Sequence, residues 1–220
     1  MPKLQWDETS KRLYETGVSK GVLYPLNTES NKYDSGVAWN GLSSISESPS
    51  GADANDTYAD DIKYLTLRAA ETFGFTIEAY TYPDEFAVCD GTVEVETGVF
   101  AGQQARKTFG LSYKTVLGND VKQQEYGYKL HLIYGATASP SEKQYQTIND
   151  SPEAITFSWE CTTTPINAGD KLKATALITI DSTKVDPTKL KQLEDKLYGT
   201  EQDAATLPLP EEVFAIFKVA

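Results

Sequence analysis

The stretch AITFSWEC, Ala154 to Cys161, alternates without a slip. Ile155, Phe157, Trp159 and Cys161 share one face and Thr156, Ser158 and Glu160 the other, which is the two-residue period of a strand with a core on one side and water on the other. The period puts Cys161 in the core. It recurs upstream: in TVEVETG, Val93 and Val95 oppose Glu94 and Glu96, and in GFTIEAYTY, Glu78 opposes Ile77 and Ala79. The acids therefore fall on a water-facing sheet surface. Further strands are predicted at 21–26, 36–45, 62–67, 74–82, 92–100, 107–117, 126–134 and 172–180, beside 154–162, each bounded by Gly, Pro, Asn or Asp. Thirteen tyrosines against one methionine and one histidine suit half-buried sheets. The expected fold class is mainly β.

Four segments depart from the strand pattern. Asp186-Pro187 is a helix start, an N-cap carboxylate followed by proline, and Leu190, Leu193 and Leu197 follow at helical spacing before Gly199, so one flanking helix is predicted over 187–198. Pro83 to Val88 adds a short helical turn with Phe86 docking on the sheet. SESPSGADANDTYADD, Ser46 to Asp61, is rich in turn-forming residues and holds five acids with no base, so it is read as a long loop between strands. The apolar end, LPLPEEVFAIFKVA, is expected to be an arm that packs elsewhere.

Charge is segregated. Positions 33 to 105 hold thirteen acids and two bases, Lys63 and Arg68, for a net −11, while the rest of the 220 residues nets −1 of the total −12. Such a block repels a polyphosphate and argues against a conventional nucleic-acid binder. It is equally the pattern of a solvated face that aids solubility. The polar N-terminus has no signal-peptide core and no window is long and apolar enough to span a membrane, so no membrane partner is expected. Cys89 and Cys161 lack C-x-x-C spacing and read as reduced core thiols.

No catalytic constellation emerges, and neither an enzyme nor a cofactor is expected. His131, the only histidine, shares a strand face with Lys129 and Ile133 and is read as a sheet-surface residue. The stretch TIEAYTYPDEFAVCDG (76 to 91) offers Asp84-Glu85 with Glu78 as a carboxylate pair for glycoside hydrolysis, but adjacent acids arise by chance among 32 of them. Asp53, Asp56, Asp60 and Asp61 lack the regular ligand spacing of a calcium loop.

GVSKGVLYP (17 to 25), YDSGVAWNGLSSISESPSGADANDTYADDIKYL (33 to 65, Thr57 excepted), IEAYTYPDEFAVCDG, RKTFGLSY (106 to 113), YGYKLHLIYGATASPSEK (126 to 143), NDSPEAITFSWECTTTP (149 to 165) and much of 180 to 199 resemble the major tail proteins of long-tailed, non-contractile bacteriophages of Gram-positive hosts. The resemblance implies a tail-tube-type β-sandwich or barrel, a single domain over 1–220 with N- and C-terminal arms and no additional immunoglobulin-like domain. It implies a structural virion protein whose hexameric rings stack into the tail tube that passes DNA on ejection. Assembly in the host cytoplasm and contacts with tape-measure and tail-terminator proteins belong to the same expectation. An acidic lumen would keep DNA centred rather than held; Glu78, Glu94 and Glu96 are the lumen candidates. Ser48, Asp53, Asp56 and Tyr58 of the long loop are the candidates for contact with the next ring. The alternative from another class is a carbohydrate-binding or adhesion β-sandwich, with Trp39, Tyr80, Tyr82 and Tyr126 as stacking faces.

Overall fold

Residues 3–148, 150, 153–169 and 172–218 are described by the computed structural model. The outermost residues of the expected arms, Met1, Pro2, Val219 and Ala220, lie outside these, as do Asn149, Ser151 and Pro152 of one quoted stretch. Among the described residues the chain runs β1 (Leu13–Asn27), β2 (Lys32–Tyr33), β3 (Val37–Trp39), β4 (Leu42–Gly51), β5 (Ala54–Ala59), β6 (Ile62–Arg68) and β7 (Glu71–Ala79). A 3-10 turn at Asp84–Phe86 then leads into β8 (Val93–Glu96), β9 (Val99–Ala101), β10 (Phe109–Asn119), β11 (Gln123–Ala138), β12 (Phe157–Thr163) and β13 (Leu177–Asp181). Two helices close the order, α1 (Pro187–Tyr198) and α2 (Pro210–Phe217). The fold is mainly β, as the alternation predicted.

Nine strands make one sheet, with the order β2-β1-β10-β11-β12-β7-β4 and with β13 and β3 added beside β11 and β1. Every pairing in it is antiparallel. β11 is the spine. Its 129–133 segment pairs β13 and its 136–138 segment pairs β12, so one strand hands over between two neighbours. Gly135 lies at the handover with φ 61°, and a Cβ there would stand 2.2 Å from the Thr164 carbonyl oxygen. Only glycine fits both the left-handed backbone and that approach.

Two apolar clusters flank the β1-β10-β11 part of the sheet. The first joins Leu23, Phe109, Leu111 and Ile133 to Phe75, Ile77, Trp159 and Cys161 of β7 and β12, so the sheet curls back over its own core. Phe86 is fully buried in it, 4.6 Å from Trp39 and 5.1 Å from Trp159 between ring centroids. A three-residue turn has no independent stability; burying Phe86, worth roughly 2–3 kcal/mol, is what anchors it. Both cysteines are buried free thiols.

The second cluster packs Val22, Tyr24, Leu130, Leu132 and Ile178 against Leu190, Leu193 and Leu197 of α1. The start of α1 is as the sequence predicted: the Asp186 carboxylate accepts from the amides of Thr188 (2.9 Å) and Lys189 (3.1 Å). α2 was not predicted. The Glu212 carboxylate reaches back to the Leu209 amide (3.0 Å), and Val213 is buried in the same cluster. The end of the described chain therefore packs on its own core; it is not an arm that packs elsewhere, because LPLP positions Pro210 as a helix start.

The largest difference concerns residues 46–61. They are not a loop: β4 runs on to Gly51, and β5 and β6 form a hairpin inserted between β4 and β7. Ala52 (φ 57°) and Gly51 (φ 84°) make the kink between the two ladders. Turn-rich composition misled because antiparallel pairing with 62–68 supplies the backbone hydrogen bonds that β5 lacks alone.

Candidate functional site

β4, β7 and β12 cover the first core with one face and leave the other bare. Ile45, Phe75, Ile77 and Trp159 point inward. Opposite them the register aligns Ser44 with Glu78, Ser46 with Thr76, Ser48 with Gly74 and Ser50 with Thr72 on one side of β7. On its other side Ser158, Glu160 and Thr162 meet Glu78, Thr76 and Gly74. The bare face is thus hydroxyls, a glycine and two carboxylates, and the three strands contain no Lys or Arg. Ser44 donates to the Glu78 carboxylate (2.8 Å) and the Ser50 and Thr72 hydroxyls are 2.8 Å apart. Such a surface is hydrated and negative, with no cationic side chain in its strands.

Of the three lumen candidates only Glu78 is on this face. Glu94 and Glu96 lie on β8, which pairs with β9 alone in a separate hairpin, so the structure does not bring the three together on one sheet. The predicted single strand over 92–100 is broken by a turn at Gly98 (φ 79°), whose amide donates to the Glu94 carboxylate (2.8 Å). Glu160 joins Glu78 instead; the alternation in AITFSWEC had marked it as outward.

The contact candidates divide as well. Ser48 belongs to the bare face of β4, not to the projecting element. Asp56 and Tyr58 are on β5 and Asp53 precedes it. The β5–β6 hairpin turns at Asp60–Asp61, both at positive φ (51° and 61°), which matches the twist of a two-residue hairpin turn. Lys63 pairs with Asp56 at 2.8 Å, and together with the Thr66 hydroxyl it holds that carboxyl below its usual range. All seven residues of β6 are exposed. Tyr58, Ile62, Tyr64 and Leu67 are each about 60–70% exposed, which no strand signal in 46–61 revealed and which lies mostly beyond that range.

Three polar features have structural work. Asp90, whose side chain is 7% exposed, receives Arg106 (3.2 Å) and Lys143 (2.6 Å) and so tethers the segments before β10 and after β11 to the Phe86 turn. His131 is not on the surface: its ring stacks on Tyr113 with centroids 4.6 Å apart and is 8% exposed. Glu47 lies 3.3 Å from its Nδ1, Glu15 3.5 Å from Nε2 and the Thr115 hydroxyl 3.0 Å from Nε2. Third, Tyr113 donates to Glu47 and Lys129 to Glu15, so carboxylates from β4 and β1 close one end of the first core. Among the described residues no group of three His, Cys, Asp or Glu side chains is arranged to hold a metal ion.

The aromatic residues of the adhesion reading do not form one open platform. Trp39 is 4% exposed and donates to the Thr81 carbonyl (3.0 Å), and Tyr82 packs on Phe157 and Trp159. Tyr80 is exposed, and Tyr126 is half-buried at the start of β11.

Fold and surface define a mainly-β protein with an acidic, hydroxyl-rich bare face and a projecting apolar hairpin. No family model and no curated protein matches the chain. Among solved structures it is similar to a chain of the anti-feeding prophage (AFP) baseplate, at 9% identity and TM-score 0.34, over 80% of this chain and 97% of that one. It is also similar to a chain of an extracellular contractile injection system, the PVC sheath-tube complex in the extended state, at 11% identity and TM-score 0.32, over 81% and 94%.

Proposed function

We propose that this chain is a structural subunit of a phage-type tail tube, non-enzymatic, assembling with copies of itself into rings that stack around a channel for DNA. The observation that carries the reading is the β5–β6 arm. Two-stranded hairpins are marginal in water, and this one holds Tyr58, Ile62, Tyr64 and Leu67 out to solvent. A partner surface that covers them would remove this penalty, and the sequence resemblance gives that partner as the subunit of the next ring.

The bare face supports the other half of the reading. A channel wall that passes a polyanion must repel it weakly and stay hydrated, and Glu78 and Glu160 among hydroxyls, with no base in their strands, meet that requirement. β4 is the terminal strand of the sheet order, and its free edge suits pairing with a neighbouring copy, which would hide the edge as a closed ring does. The finer features of the non-contractile tail, hexameric rings with tape-measure and terminator partners in a virion, rest on the sequence resemblance.

Negative-stain microscopy of purified protein tests the reading. The unaltered chain should give rings or tubes. A variant in which 54–68 is replaced by a short glycine linker should give rings or single chains that do not lengthen, and arm-less tubes of normal length would refute the role given to the arm.

A further inference from the structure

β1 changes register against β10 twice, between Thr16 and Ser19 and again between Ser19 and Val22. The second irregularity contains Lys20 at φ 51°, with its ammonium over the Tyr198 ring, 5.3 Å from the centroid. Lys114, aligned with Ser19, stands 3.6 Å from the centroid of Tyr128. Neither lysine has an ion-pair partner among the described residues. The acid near them, Glu194, already accepts from the Tyr128 hydroxyl (2.8 Å). Burial, and then the charge of Lys20, draw Lys114 below its usual range. Beside them the Tyr198 hydroxyl is enclosed with no hydrogen-bond partner. A cavity of about 610 Å³ opens here, lined by Lys20, Gly21, Gly36, Ala38, Trp39 and Tyr198 among others. The cleft presents the Lys20 ammonium against small residues and the Trp39 and Tyr198 side chains, with the Lys114 ammonium close enough to feel the charge of Lys20.

We propose that this cleft is a carboxylate-binding site that receives the tip of the β5–β6 arm, Asp60 and Asp61, from a second copy of the chain. The proposal rests on the self-assembly reading and names the surface that the arm meets. Charge favours it: the tip carries two adjacent carboxylates and the cleft region two ammonium groups, none of them in an ion pair among the described residues, so tip and cleft attract. Shape favours it too. Tyr58 and Ile62 flank the two aspartates, 68% and 63% exposed, and would meet the cleft's aromatic and small-residue walls while the carboxylates meet the ammonium groups. Tip and cleft are different patches, so the contact runs head to tail and propagates.

A charge swap followed by sedimentation velocity tests the site. Asp60→Lys with Asp61→Lys, or Lys20→Glu with Lys114→Glu, should each raise the concentration needed for assembly by about tenfold or more, with the single chain still folded by circular dichroism. All four substitutions in one chain should restore assembly to within about threefold of the unaltered protein. As an independent check, Asp60→Cys and Lys20→Cys in one chain should give an oxidised ladder of covalent oligomers, since Cys89 and Cys161 are buried. Loss of assembly in the arm variant but not in the cleft variant, no rescue by the swap, or no ladder would each overturn this site and leave the tube reading standing. An unaltered chain that never associates would overturn both.

Discussion

Glu47 shows how one residue ties the curled sheet together. It comes from β4, yet it accepts from Tyr113 of β10 and faces His131 of β11, with Glu15 and Lys129 on the other side of the ring. The hydrogen bond with His131 and, more weakly, that from Tyr113 outweigh burial and hold its carboxyl below the usual value of 4.5. A depressed folded-state value means the contribution to stability is full above about 4.5 and is lost as pH falls through the folded value. Melting temperature should therefore drop on acidification below that point, and Glu47→Gln should make the drop shallower; parallel curves for the two proteins would show that the cluster is not a source of acid sensitivity. Alternation had assigned His131 a surface place beside Lys129. Its burial comes from Tyr113 and from β4 folding over, neither of which is local in sequence.

At the scale of elements, what was legible is what local chemistry decides. Asp186-Pro187 and three leucines specify α1 by themselves, and AITFSWEC specifies which face of β12 is buried. The arm was not legible because ANDTYA has turn composition and becomes a strand only when β6 pairs with it. β8 and β9 were merged because two valines and two glutamates alternate up to Gly98, whose positive φ ends the run. For the lumen candidates this mattered: alternation correctly turned Glu78 and Glu160 outward but does not say which strands become neighbours. The handover in β11 sets a sharper constraint. Gly135→Ala should lower stability by roughly 2–4 kcal/mol, measured by urea unfolding, because the Thr164 carbonyl blocks a Cβ and φ is left-handed. A loss under about 0.5 kcal/mol would mean that the strand can shift freely at this point.

At the scale of the molecule, the fold satisfies its own core and leaves its periphery incomplete. Two apolar clusters are closed by the sheet and by α1 and α2, whereas the β5–β6 arm, the free edge of β4 and the bare acidic face all await a neighbour in the proposed assembly. Charge works in the same direction, since the Asp60–Asp61 tip and the Lys20 and Lys114 ammonium groups are complementary between two copies joined head to tail. The central claim is that copies of this chain build closed rings. Sedimentation velocity of the purified, unaltered protein over a wide concentration range tests it most directly. The account predicts six-copy rings or their stacks, weakening at high salt; a single-chain species at every concentration and at low salt would contradict it.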